Sequence, residues 1–153
     1  MSFLLTIEES KLEAIIDLLE KYEHMVQAAA PIFKLEGRRL EEIMRTLPRH
    51  QAEYDLAFQE LKSLEEWLET IKEKRTAKYW KKYLEGYPKQ LATRDIQSYI
   101  AGEKEIVEMN QFIIEVTMIK NQLASIVEAI KQMAWMTGHT TKLRVAELGD
   151  VVL

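Results

Sequence analysis

The chain has 153 residues, a formal net charge of −4 and no cysteine. That length suits one domain with its own core, and the missing thiols exclude thiolate zinc sites, iron–sulfur clusters, a cysteine nucleophile and a disulfide scaffold. With 5 Gly and 3 Pro there is too little turn material for an all-β fold of many hairpins, and 47 % hydrophobic with 30 % charged residues is the balance of a soluble globular chain.

The opening residues, Met1 to Glu9, lack a positive stretch and turn acidic within eight positions, so they do not read as a secretory leader. Charge interrupts every apolar run well short of the ~20 residues a bilayer span needs. The expectation is a cytoplasmic protein without membrane contact.

Thr6-Ile7-Glu8-Glu9 has the pattern of a capping box, and behind it Leu12, Ile15, Ile16, Leu19, Tyr22, Val26 and Ala29 recur at helical spacing as far as Pro31. A second helix is expected from Ile32 to Leu47, ended by Pro48 and weakened by Gly37. These two make up an N-terminal part, residues 1–47. A third helix, residues 48–86, carries Tyr54, Ala57, Leu61, Leu64, Leu68 and Ile71 at alternating spacings of three and four, the a and d positions of a heptad seam. Gly86-Tyr87-Pro88 is the clearest break in the chain. Thr93 then reads as the N-cap of a short helix, Arg94 to Ala101, with Gly102 as its C-cap.

The last long helix begins at Glu103, and residues 94–137 form the C-terminal helical part. Met109, Phe112, Val116, Ile119, Leu123, Ile126, Ile130 and Met133 follow one another at 3, 4, 3, 4, 3, 4, 3, an unbroken heptad register. Ile106, Ile113, Val127 and Ala134 widen the stripe toward a second neighbour. Gly138 is expected to close the helix, leaving residues 140–153 as a tail, a short helix or disordered, that docks through Val145, Leu148, Val151, Val152 and Leu153. The fold class is all-α: a single helical domain, residues 1–153, of long helices with heptad seams. A lone helix cannot satisfy such a stripe. Either the stripes pack on each other within one chain, or subunits share a coiled-coil-like core. Long helices with few connecting residues favour the homo-oligomer, with Met109 to Met133 as its seam.

Charge is unevenly spread. Residues 1–71 carry a net −7, residues 95–153 a net −3, and residues 72–94 a net +6. The positive block holds Lys72, Lys74, Arg75, Lys78, Lys81, Lys82, Lys89 and Arg94 against only Glu73 and Glu85. The packing seam stops where the block starts, because the next two seam positions after Ile71 are Arg75 and Lys78. Lys74, Lys78, Lys81 and Lys82 can share one helix face, and Tyr79, Trp80, Tyr83 and Tyr87 follow on an adjoining one. Cations neutralise phosphates while aromatic faces stack on bases without reading sequence, so this stretch fits single-stranded nucleic acid. The plainer alternative is a solvated surface with the rings tucked into the core, Trp80 and Tyr83 above all.

Catalytic constellations are missing. His24, His50 and His139 form no metal-binding pair, no Glu-x-x-His exists for a carboxylate-bridged di-metal bundle, and no Gly-rich phosphate loop or Gly-x-Ser-x-Gly elbow occurs. Adjacent acids such as Glu41-Glu42 and Glu65-Glu66 read as solvated helix surface, and Met109, Met118, Met133 and Met136 as core filler. The expectation is a protein that is not an enzyme and needs no cofactor or metal.

The order of segments in the second half is distinctive: Lys74-Arg75-Thr76-Ala77-Lys78-Tyr79-Trp80, a Gly-Tyr-Pro break, then Asp95-Ile96-Gln97-Ser98-Tyr99-Ile100-Ala101-Gly102-Glu103-Lys104-Glu105-Ile106-Val107, and a long helix through Val127-Glu128-Ala129-Ile130-Lys131-Gln132-Met133 to Lys142-Leu143-Arg144. Over residues 72–144 this resembles the phage recombination mediators of the UvsY type. The resemblance implies a small non-enzymatic helical protein of the host cytoplasm that assembles into a ring-like homo-oligomer. It implies binding of single-stranded DNA and loading of a RecA-like recombinase onto strands covered by single-strand-binding protein. Basic residues just before a paired-aromatic motif contribute to DNA binding in that family. Tyr79-Trp80 matches the pair, which carries the role onto Lys74, Arg75 and Lys78, although Thr76 stands where an Arg is expected. The C-terminal helix helps hold the family's oligomer. An oligomeric helical adaptor, such as a phage assembly factor that binds no nucleic acid, is the competing reading.

Overall fold

The computed structural model describes residues 9–150, and the expected capping box at Thr6 lies outside them apart from Glu9. Among the described residues there are four α-helices and no strand: α1 (Glu9–Gln27), α2 (Leu40–Gly86), α3 (Thr93–Ala101) and α4 (Lys104–Asp150), with a 3₁₀ turn, Ala30–Phe33, after α1. No helix among them is long and apolar enough to cross a membrane.

The frame is an antiparallel hairpin of the two long helices. Lys120 Nζ lies 2.8 Å from a Glu65 carboxylate oxygen in the middle, Arg75 Nε lies 3.3 Å from Glu105 Oε1 toward one end, and Thr141 Oγ1 lies 3.4 Å from Met44 Sδ at the other. From α2 come buried Ile43, Leu47, Tyr54, Ala57, Leu61 and Leu68, and from α4 Ile106, Met109, Ile113, Val116, Ile119, Leu123, Val127, Ile130 and Met133. Helix α1 adds Ile15, Leu19 and Tyr22 to the same core. Two polar ties fix its position: the Tyr22 hydroxyl donates to Glu60, and the Tyr54 hydroxyl donates to the Met25 carbonyl at 2.8 Å. Ile96 and Ile100 of α3 complete the core near the α2–α3 turn.

The α4 seam read from the sequence is therefore used inside the chain. Six of its eight residues are buried and Phe112 and Ile126 are partly so. Of the two placements open to this stripe, within one chain or between subunits, its burial against α2 and α1 is the first. What α4 leaves exposed is its outer side, with Val107, Ile114, Met118, Trp135, Met136 and Leu143.

Two expected helix boundaries are corrected. Pro48 does not end a helix at Leu47; it lies inside α2, which starts at Leu40. Proline deprives the Met44 carbonyl of its amide partner, but Ile43 and Leu47 are both buried, and their packing holds the first turns in line. The break falls earlier, at Gly37, where φ is +74° and the Arg38 amide closes a turn onto the Leu35 carbonyl at 3.2 Å. Gly138 does not end α4 either. A glycine stops a helix by turning left-handed, and among the described residues Gly37 alone has a positive φ. Residues 140–150 continue α4 rather than forming a separate tail.

The break after Gly86 is as expected, and its cause is Pro88. The residue before a proline is pushed out of the helical region, and Tyr87 sits at φ −99°, ψ 135°. Helix α3 starts one residue before its expected span, with Ala92 rather than Thr93 as N-cap and no side-chain cap bond. Gly102 caps it as expected, its amide donating to the Ser98 carbonyl at 3.2 Å.

Candidate nucleic-acid interface

The basic block lies on the last four turns of α2, beyond the deepest packing, and on the α2–α3 turn. Past Leu68 no residue of α2 is fully buried; Ile71, Tyr79, Trp80 and Tyr83 still pack partly buried against the core, and polar anchors to Glu105 on α4 and Glu103 just before it are added. The Tyr79 hydroxyl donates to Glu105 Oε2 at 2.8 Å, and the Tyr83 hydroxyl donates to Glu103. Arg75 pairs with the other oxygen of Glu105, but its angle makes no hydrogen bond. That oxygen is the one buried side-chain polar atom among the described residues without a hydrogen-bond partner. Glu105 is tolerated there because it lies in the first turn of α4, where the helix dipole favours negative charge, with a guanidinium alongside. Burial, then the Glu105 hydrogen bond, raises the Tyr79 pKa to about 12; the Glu103 hydrogen bond, then burial, raises that of Tyr83 to about 12.

These contacts divide the expected binding residues in two. Arg75 and Tyr79 are committed to Glu105, Trp80 packs partly buried against the core, and Lys72 lies 3.9 Å from Glu69. Lys74, Lys78, Lys81, Lys82, Lys89 and Arg94 are exposed, and among the described residues no ion pair holds any of them. Lys74, Lys78, Lys81 and Lys82 run along one face of α2 at spacings of four, three and one. Glu73 lies off this face, in a shallow groove it shares with Glu69, Lys72, Thr76, Ala77 and Trp80.

At the distal end the face meets Tyr83 and Tyr87, which the sequence already places on an adjoining face, and Tyr99, which it does not. Tyr83 and Tyr87 come within 5.8 Å, centroid to centroid, and Tyr99 of α3 lies 5.7 Å from Tyr83 and 6.4 Å from Tyr87. Lys82 Nζ sits 5.6 Å from the Tyr79 centroid and 5.7 Å from that of Tyr83, so its charge is attracted by both rings. Tyr99 was not among the candidate site residues. Its only signal in the sequence is that it lies beside Ile96 and Ile100 on α3 without sharing their buried face.

Among the described residues no group of three or more His, Asp and Glu comes together that could hold a metal ion. Comparison of the chain with family models, with curated proteins and with solved structures returns no match.

Proposed function

We propose that this protein binds single-stranded DNA along the distal face of α2, and that it acts as a recombination mediator, helping a RecA-like recombinase onto strands covered by single-strand-binding protein. The observation that carries the binding is the row of unpaired cations, Lys74, Lys78, Lys81 and Lys82, extended by Lys89 and Arg94 around the turn. A cation already paired with a carboxylate gains little from a phosphate, whereas a free ammonium releases the phosphate's counterion. The acidic flanks of the chain, net −7 and −3, direct a polyanion to this face and away from the rest. The mediator role is supported by the resemblance of residues 72–144 to the UvsY-type proteins.

Repetition of the face in a homo-oligomer turns modest sites into a multivalent track. With the α4 seam occupied by α2, the outer side of α4, including Ile114, Met118, Trp135 and Met136, supplies the apolar surface for a ring-like assembly. The same surface favours the second reading, an oligomeric adaptor that needs no nucleic acid.

Anisotropy of a labelled single-stranded oligonucleotide, titrated with salt, separates the two. Replacing Lys74, Lys78, Lys81 and Lys82 by Ala is expected to flatten the salt slope by about 0.7 per lysine removed, whereas Arg75→Ala changes it far less. Absence of binding at low salt overturns the DNA reading and leaves the adaptor.

A further inference from the structure

We infer that Tyr83, Tyr87 and Tyr99 form a nucleobase-stacking platform at the α2–α3 turn, and that this platform, not the Tyr79-Trp80 pair, makes the site prefer unpaired strands. The inference rests on the nucleic-acid reading above and adds to it the place where bases are held.

Three features of the rings carry it. First, the rings cluster without a face-to-face sandwich. Tyr87 and Tyr99 are inclined by 13°, Tyr83 and Tyr99 by 25° and Tyr83 and Tyr87 by 38°, with centroid separations of 6.4, 5.7 and 5.8 Å. Rings at such separations are offset or tilted, which leaves part of their faces uncovered by one another. Second, the outer rings are open to solvent: Tyr87 is 49 % and Tyr99 48 % exposed, whereas Trp80 and Tyr79 are partly buried against the core. Third, the Tyr83 ring and the backbone that carries the other two are set before any ligand arrives. The Tyr83 hydroxyl is tied to Glu103, Tyr87 is held extended ahead of Pro88, and Tyr99 rides on a helix anchored by buried Ile96 and Ile100. A rigid ring loses little conformational freedom when a base stacks on it.

Lys82 joins the two halves of the site, since its ammonium stands 5.7 Å from the Tyr83 ring and belongs to the cationic row. A strand following Lys74, Lys78 and Lys81 therefore reaches the rings with a phosphate near Lys82 and its base free to turn onto Tyr87 or Tyr99. Bases already paired in a duplex cannot do this without unstacking, so the rings discriminate where the lysines do not.

The test compares three probes, an oligothymidylate strand, the same strand with abasic sites, and a duplex of equal length, on wild-type protein and on two variants. Tyr87→Ala with Tyr99→Ala is expected to weaken the oligothymidylate about tenfold and leave the abasic strand and the duplex unchanged, because stacking contributes only where a base is free. Tyr87→Phe with Tyr99→Phe keeps the rings and is expected to bind as wild type, which separates stacking from hydroxyl contacts. Equal loss on oligothymidylate and abasic strands, or no loss on either, overturns the platform while leaving the cationic row in place. If wild-type protein binds none of the three at low salt, the underlying nucleic-acid reading falls and the platform with it.

Discussion

The two halves of α2 differ in what holds them to α4. From Ile43 to Leu68 the helix is fixed mainly by apolar burial, with Leu61 and Leu68 fully enclosed and Glu65 tied to α4 through Lys120 and Thr117. From Arg75 to Tyr83 it is fixed by long side chains reaching Glu103 and Glu105. The contrast teaches why the distal half can carry so many free charges. Apolar packing would need the cationic face to shrink, whereas two carboxylates, Glu105 on α4 and Glu103 just before it, hold one arginine and two tyrosines on the inner side and leave the lysines on the outer side unclaimed.

The sharpest way to break the proximal half is Leu61→Ala. Leu61 is completely buried, so the truncation removes its transfer free energy and leaves a cavity, a loss of about 2–5 kcal/mol expected in chemical denaturation. Lys78→Ala and Lys81→Ala, on the exposed distal face, are expected to stay within about 0.5 kcal/mol of wild type. Equal destabilisation by the two kinds of change would mean that the halves are not held differently.

Glu105→Gln tests the distal anchor itself. The amide keeps an acceptor for Tyr79 but leaves Arg75 without its counter-charge, and a cost of about 1–3 kcal/mol is expected from losing the ion pair and the charged acceptor of a buried carboxylate. Arg75 is then free to join the cationic row, so affinity for an anionic strand is expected to rise, or hold, while stability falls. A parallel loss of both would make Glu105 part of the binding surface rather than its support.

Much of the fold is legible in the sequence because it depends on periodicity. The 3–4 spacing from Tyr54 to Leu68 and from Met109 to Met133 marks the buried faces of both long helices, and the break at Gly86-Tyr87-Pro88 is local chemistry. What is not legible has one physical cause: partners that are distant in sequence decide. Nothing in the sequence sets Arg75 and Tyr79 against Glu105, a contact that spans 26 positions for Tyr79. Tyr99 looks idle until the α2–α3 turn folds it onto Tyr83. Pro48 and Gly138 look like breakers because their intrinsic cost is visible, whereas the burial of Ile43, Leu47, Met133 and Thr137 on their flanks is not.

Gly138 gives the smallest and cleanest measure of that balance. It lies inside α4 without a positive φ, and a Cβ built on it meets no atom within 4 Å. Thr137, Thr140 and Thr141 around it each donate a hydroxyl hydrogen to a carbonyl one turn back, at 2.6, 2.9 and 2.9 Å, which satisfies the hydroxyls within the helix and depends in no way on glycine at 138. Gly138→Ala is therefore expected to stabilise the protein by about 0.5–1 kcal/mol, through the lower backbone entropy of alanine in the unfolded chain, and to raise the melting midpoint without touching the basic end. Destabilisation would show that α4 is not continuous past residue 138 in solution, and the expected helix end at Gly138 would then stand. Stabilisation with unchanged strand affinity would show that this end of the hairpin can be tightened independently of the end that carries the lysines.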